Sequence, residues 1–170
     1  RIRLLVKTHN TRPSNDSESI YEVVTRPNKP AASWENPENP QHQQAFVSLY
    51  DDVKGVTVAN KGLHEYEILG DDMIAVTLLR ASGELGDWGY FPTPEAQCLR
   101  NFEVEYAVEC HQAQGRFSAF RRAKALQTPM TSLQVEKQEG NVAASGSLLK
   151  HTALTHPQVC PTAFKVAENE

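Results

Sequence analysis

Hydrophobic and polar residues alternate with a period of two along much of the chain, and that pattern predicts strands. It is clearest over Asn101 to Cys110, where Phe102, Val104, Tyr106, Val108 and Cys110 alternate with Asn101, Glu103, Glu105, Ala107 and Glu109. This reads as one strand with the first set buried and the second wet. Arg1 to Lys7 repeats the pattern with Ile2, Leu4 and Val6 inward, and Ile20 to Thr25 is rich in β-branched and aromatic residues. Between them, Asn10 to Ser19 is polar and reads as turn-forming. Asn28 to Pro40 carries Pro30, Pro37 and Pro40 with Asn36 and Asn39, which predicts an extended surface connection. A meander of four short strands is expected next: Ala45 to Tyr50, Val56 to Ala59, His64 to Leu69 and Met73 to Arg80. Asp51, Asp52 and Gly55, then Asn60 and Gly62, then Gly70, Asp71 and Asp72 supply the turns. The last strand is almost continuously apolar, as one covered on both faces would be.

Two stretches break the period. Ala81 to Arg100 is a long connection with Gly83, Gly86, Gly89, Pro92 and Pro94, and its aromatics Trp88, Tyr90 and Phe91 argue against disorder. From Gln112 to Leu126, Phe117, Phe120, Ala123 and Leu126 recur at a spacing of three, which predicts a short amphipathic helix ended by Pro129 and weakened by Gly115. Leu133 to Val135, Val142 to Leu149 and Val159 to Val166 read as further strands.

Composition narrows the function classes. The chain has 170 residues, 39% hydrophobic and 22% charged, with a net charge of -4, which indicates neither a disordered tail nor a nucleic-acid binder. The longest apolar run, Met73 to Leu79, is too short for a membrane helix, so no membrane partner is expected. Cys98, Cys110 and Cys160 are widely spaced and fit reduced thiols in a cytoplasmic protein. The start at Arg1, directly inside a strand pattern, suggests an excised piece of a longer protein.

Candidate chemistry is sparse. Glu103 and Glu105 share a strand face, as paired carboxylates would, although a solvated face is the plainer reading. Asp51, Asp52, Asp71 and Asp72 fit turn chemistry. His151 and His156 lack metal-ligand spacing, and no nucleophile elbow or phosphate-binding loop occurs. Arg116, Arg121, Arg122 and Lys124 are candidates for an anion clamp, against the plainer reading of a solvated or domain-facing helix. In the 81–100 loop, Trp88, Tyr90 and Phe91 offer a platform for a sugar ring, with Glu84, Asp87, Glu95 and Gln97 available for hydroxyls; self-packing of the loop is the competing reading.

The run Ile74-Ala-Val-Thr-Leu-Leu-Arg80, followed by Gly83-Glu-Leu-Gly-Asp-Trp-Gly-Tyr-Phe-Pro-Thr-Pro-Glu-Ala-Gln-Cys98, resembles the C-terminal β region of bacterial alpha-mannosidases of glycoside hydrolase family 38. Ile20-Tyr-Glu-Val-Val-Thr-Arg-Pro27, Gln44-Ala-Phe-Val47, Gly55-Val-Thr-Val-Ala-Asn-Lys-Gly-Leu-His-Glu-Tyr-Glu67 and Ala163-Phe-Lys-Val-Ala-Glu168 are similar to the same family, in the same order. The resemblance implies a mainly β fold, an antiparallel β-sandwich of the supersandwich, galactose-mutarotase-like kind with one short helix, cut as an incomplete domain over residues 1–170. It implies a zinc-dependent retaining glycosidase whose zinc ligands and catalytic carboxylates lie in an N-terminal catalytic domain of the same polypeptide, so that this stretch has no catalytic residue, metal or cofactor of its own. Alpha-mannosides would be the substrates of the full-length enzyme. By position, Arg80, Asp87, Trp88, Tyr90 and Gln97 are the expected contributors to the rim of its active site. An independent carbohydrate-binding module, and a purely structural or homo-oligomerising module, remain the alternatives.

Overall fold

Short alternating segments cannot bury an apolar face alone, so they pair and stack. The computed structural model describes residues 1–33, 35, 38–85, 91–97, 99–134 and 136–137, in two compact units, Arg1–Gln127 and Thr128–Glu170. The first unit carries β1 (Ile2–Lys7), β2 (Ser14–Ser19), β3 (Glu22–Arg26), β4 (Gln41–His42), β5 (Phe46–Tyr50), β6 (Lys54–Asn60), β7 (Glu65–Leu69), β8 (Met73–Leu79), β9 (Glu84–Leu85), β10 (Phe91–Pro92), β11 (Tyr106–Gln112) and α1 (Arg116–Gln127). In the second, the described residues have no helix or strand; Leu133 and Gln134 are irregular, while Val135 and the strands expected over 142–149 and 159–166 lie outside the described residues.

The fold is mainly β and antiparallel, with one short helix, as expected. One sheet has the order β1-β8-β7-β4, a second β11-β6-β5-β2-β3, and β9 and β10 form a separate ribbon. Their apolar faces share one core: Val47, Leu49 and Val58 from the second sheet meet Tyr66, Ile68, Ile74 and Val76 from the first, with Leu4 and Val6 packed against them. The Tyr66 hydroxyl crosses the core to lie 2.6 Å from Asn15 Oδ1, which sets β7 over β2, and β8 packs against β5. The opposite face of the second sheet is covered by α1, where Phe120 stacks on Phe46 at 4.4 Å and Ala123 is buried beside Ala59.

Several expectations are corrected. Asn10 to Ser19 is not all turn: its second half is β2, inserted between β5 and β3 with Asn15, Asp16, Ser17 and Glu18 buried. Three of these side chains find partners inside: Asn15 Nδ2 donates to the Arg26 carbonyl at 2.7 Å, Thr25 Oγ1 to Asp16 at 2.6 Å, and the Ala45 amide and Lys124 to Glu18. Ile20 and Tyr21 are not in a strand; they form the tip of the β2–β3 hairpin, Tyr21 being 89% exposed, and β3 starts at Glu22. The four central strands exist with nearly the expected bounds, but not as one meander: β5 pairs with β6 and β7 with β8, and the chain changes sheets between β6 and β7. Only the Leu69–Asp72 link is a tight turn with two left-handed residues, Gly70 (φ 58°) and Asp71 (φ 63°), which matches the twist of its strands.

The strand expected over 101–110 begins at Tyr106, and its apolar face is only partly covered: Val104 packs half-buried against the core, whereas Phe102, Tyr106 and Val108 are half-exposed and Cys110 is exposed. Ile2, read as inward, is 55% exposed at the start of β1, where the β1–β8 register shifts. The helix starts later than its periodicity suggests, because Ala113–Gly115 forms a 3₁₀ turn before Arg116.

Candidate functional site

The end of β8 delivers Arg80 to the outer face of the first sheet. Alternation along β7 points Tyr66 and Ile68 into the core and Glu65 and Glu67 outward, where three arginines meet them. Arg80 donates to Glu65 at 2.8 Å, Thr77 Oγ1 donates to the other Glu65 oxygen at 2.7 Å, Arg1 lies 3.8 Å away, and Arg3 pairs with Glu67 at 3.0 Å. Burial pushes the Glu65 carboxyl up, but the hydrogen bonds from Thr77 and Arg80 and the charges of Arg1 and Arg80 outweigh it and hold Glu65 below the usual carboxylate range. This ladder was overlooked in the sequence, although the alternation Glu65, Tyr66, Glu67, Ile68 carried the signal for it.

Beyond Arg80 the chain folds back on itself. Leu85 pairs with Phe91 and Glu84 with Pro92; the Thr93 amide and hydroxyl donate to Gly83 and Ser82 carbonyls at 3.1 and 2.6 Å. Gln97, on the 3₁₀ turn Pro94–Gln97, donates through Nε2 to the Ser82 carbonyl at 2.7 Å. Of the five expected rim residues, Arg80 is therefore engaged by Glu65 and Gln97 by the base of its own loop, while Asp87, Trp88 and Tyr90 lie outside the described residues. Leu85 and Phe91 are exposed at 59% and 58%, and so are Glu84 and Glu95, so this ribbon presents an aromatic and two carboxylates to solvent.

The other candidates resolve into structural roles. Glu103 and Glu105 are exposed, and Glu105 pairs with Lys61 at 2.7 Å. Asp51 accepts from the Lys54, Thr11 and Val53 amides, which hold its carboxyl well below the usual range. Arg122 pairs with Glu109 and Lys124 with Glu18, and the Arg116 guanidinium stacks over Tyr50 at 4.4 Å and Phe117 at 4.7 Å. These basic side chains bind their own domain rather than an anion. No three His, Cys, Asp or Glu side chains converge as metal ligands among the described residues, and His151 and His156 lie outside them.

The sequence and the fold have relatives. Residues 2–84 match the model of the glycosyl hydrolases family 38 C-terminal domain. A putative mannosylglycerate hydrolase of Halalkalibacterium halodurans is 50% identical over 112 residues, which are 66% of this chain and 12% of that protein. An alpha-mannosidase from Enterococcus faecalis superposes with a TM-score of 0.75 at 50% identity, over 82% of this chain and 16% of that one. A glycosyl hydrolase family 38 protein from Enterococcus faecalis gives 0.72 at 48% identity, over 83% and 16%. The chain thus spans a small fraction of the length of the proteins it matches. The matched residues and the near-half identity converge on one family: residues 2–84 match the glycosyl hydrolase family 38 C-terminal domain, and most of the chain folds like members of that family.

Proposed function

We propose that this chain is a non-catalytic C-terminal portion of a zinc-dependent retaining alpha-mannosidase, which packs on an N-terminal catalytic domain of the same polypeptide and sends the 81–100 loop toward its active-site rim. The observation that carries this is the likeness, at about half identity, to proteins named for cleaving mannosides, in a stretch where Glu65, Glu109 and Asp51 are engaged by its own arginines and amides. A retaining glycosidase needs two carboxyls about 5 Å apart, one of them kept protonated as general acid. Here Glu65 and Glu109 are bound by arginines and Asp51 by backbone amides, and all three are shifted downward, opposite to what a general acid requires. Zinc and the catalytic carboxylates belong to the catalytic domain in this reading, alpha-mannosides are its substrates, and the protein works in the cytoplasm.

The test is direct. The purified chain is expected to release no phenol from an aryl alpha-mannoside; release that persists in material free of contaminating glycosidase overturns the reading.

A further inference from the structure

Strand β4 is two residues long and pairs, among the described residues, with β7 alone. A strand that short has little ladder to hold it. Gln41 lies opposite Tyr66 and His42 opposite Glu65, and the Gln43 amide donates to the His64 carbonyl at 3.0 Å. That pairing sets two histidines side by side, one on each segment. The His42 and His64 rings are both exposed, are tilted by only 10° and have centroids 6.1 Å apart. Among the described residues, no hydrogen bond or ion pair engages either ring. His111 is different, since its ring nitrogens meet the Thr57 hydroxyl and the Gln112 carbonyl at 3.0 Å each. A transition ion binds an imidazole nitrogen at about 2.0–2.1 Å, so two rings on one ion have centroids about 5–6.5 Å apart. The observed spacing falls there, so rotation of the two side chains brings a nitrogen of each onto one ion while the paired backbone stays in place.

We propose that His42 and His64 form a two-histidine site for a divalent transition ion of the Ni²⁺, Cu²⁺ and Zn²⁺ class, which clips β4 to the start of β7. Imidazole nitrogen selects these ions over Mg²⁺ and Ca²⁺, which take oxygen ligands. Glu65, opposite His42, is taken by Arg80 and Thr77, and no three His, Cys, Asp or Glu side chains converge among the described residues. Two imidazoles are therefore the protein's share, and water fills the remaining positions, as the exposure of both rings allows. Because the ladder already holds the two segments together, the ion closes no new loop, and its binding stabilises the folded chain by mass action. The site depends on nothing that the longer polypeptide hydrolyses.

The probe is Ni²⁺, added to the untagged chain while its amide resonances and thermal midpoint are recorded. Paramagnetic broadening is expected to centre on the His42 and His64 amides, to saturate below about 1 mM with a single ion per chain, and to be reversed by EDTA. The midpoint should rise as the site fills. His42→Gln and His64→Gln are each expected to weaken binding at least about tenfold, because either one leaves a lone imidazole. Both positions are exposed, so the midpoint without metal should stay that of the parent. His9→Asn removes another exposed histidine, at a left-handed position (φ 53°) that asparagine tolerates, and should change nothing. Ni²⁺ affinity in either glutamine variant equal to that of the parent overturns the proposal. So does broadening that centres elsewhere or grows without saturation, which is the mark of an adventitious ion only. Neither readout involves mannoside hydrolysis, so failure of the proposed function leaves this result untouched.

Discussion

Strands β2 and β11 belong to the same sheet and invert one another. β2 is polar, yet Asn15, Asp16, Ser17 and Glu18 are buried; β11 is apolar on one face, yet Tyr106 and Val108 are half-exposed. The difference is position. β2 lies between β3 and β5, with Tyr66 of the other sheet above it and Lys124 of the helix on its far side. β11 is an edge strand, paired among the described residues with β6 alone. Polar burial is stable in β2 because Asn15, Asp16 and Glu18 meet donors and acceptors inside.

The comparison can be broken most severely at Glu18. Its carboxylate takes the Ala45 amide and the Lys124 ammonium, and Glu18→Ala strands both; a loss of about 3–5 kcal/mol is expected by chemical denaturation. A loss under 1 kcal/mol would mean that β2 is held by its ladder alone. Asn15→Leu comes next. It keeps the volume but removes the partner of the Tyr66 hydroxyl and of the Arg26 and Asn28 oxygens, for an expected cost of about 1–3 kcal/mol. If the variant is instead neutral, water replaces the side chain and the polar strand is less dry than its burial indicates.

The smallest effect lies on β11. The Glu109 carboxyl is held below the ordinary glutamate range, first by its hydrogen bond from Arg122, against burial, and then by the charges of Arg122 and His111. A lowered folded value contributes stability that is complete above the unfolded value and lost as pH falls through the folded one. Arg122→Gln should therefore lie slightly below the parent chain at neutral pH, and the gap between their thermal midpoints should close as the pH falls through the lowered Glu109 value. A gap that widens in acid would contradict the assignment of the pair.

Much of the fold was legible because burial and local pattern agree in the middle of the chain. β5 to β8 show their alternation or apolar run directly, and Phe117, Phe120 and Ala123 mark one face of α1. β2 was not legible because its partners are remote: Tyr66 is 51 residues from Asn15, and Lys124 is 106 residues from Glu18. The candidate site was half legible. Arg80 and Gln97 stand at the loop as expected, but the sequence did not reveal that Glu65 holds the first and the Ser82 carbonyl the second.

The sequence by itself determined strands β5 to β8, the turn chemistry at Gly70 and Asp71, the helix and the family resemblance, because these depend on local periodicity, on backbone preferences and on ordered motifs. Only the tertiary structure decided which faces are dry. Burial is a property of what lies opposite, and here a polar strand lies under a tyrosine and a lysine while an apolar one lies at the edge of its sheet.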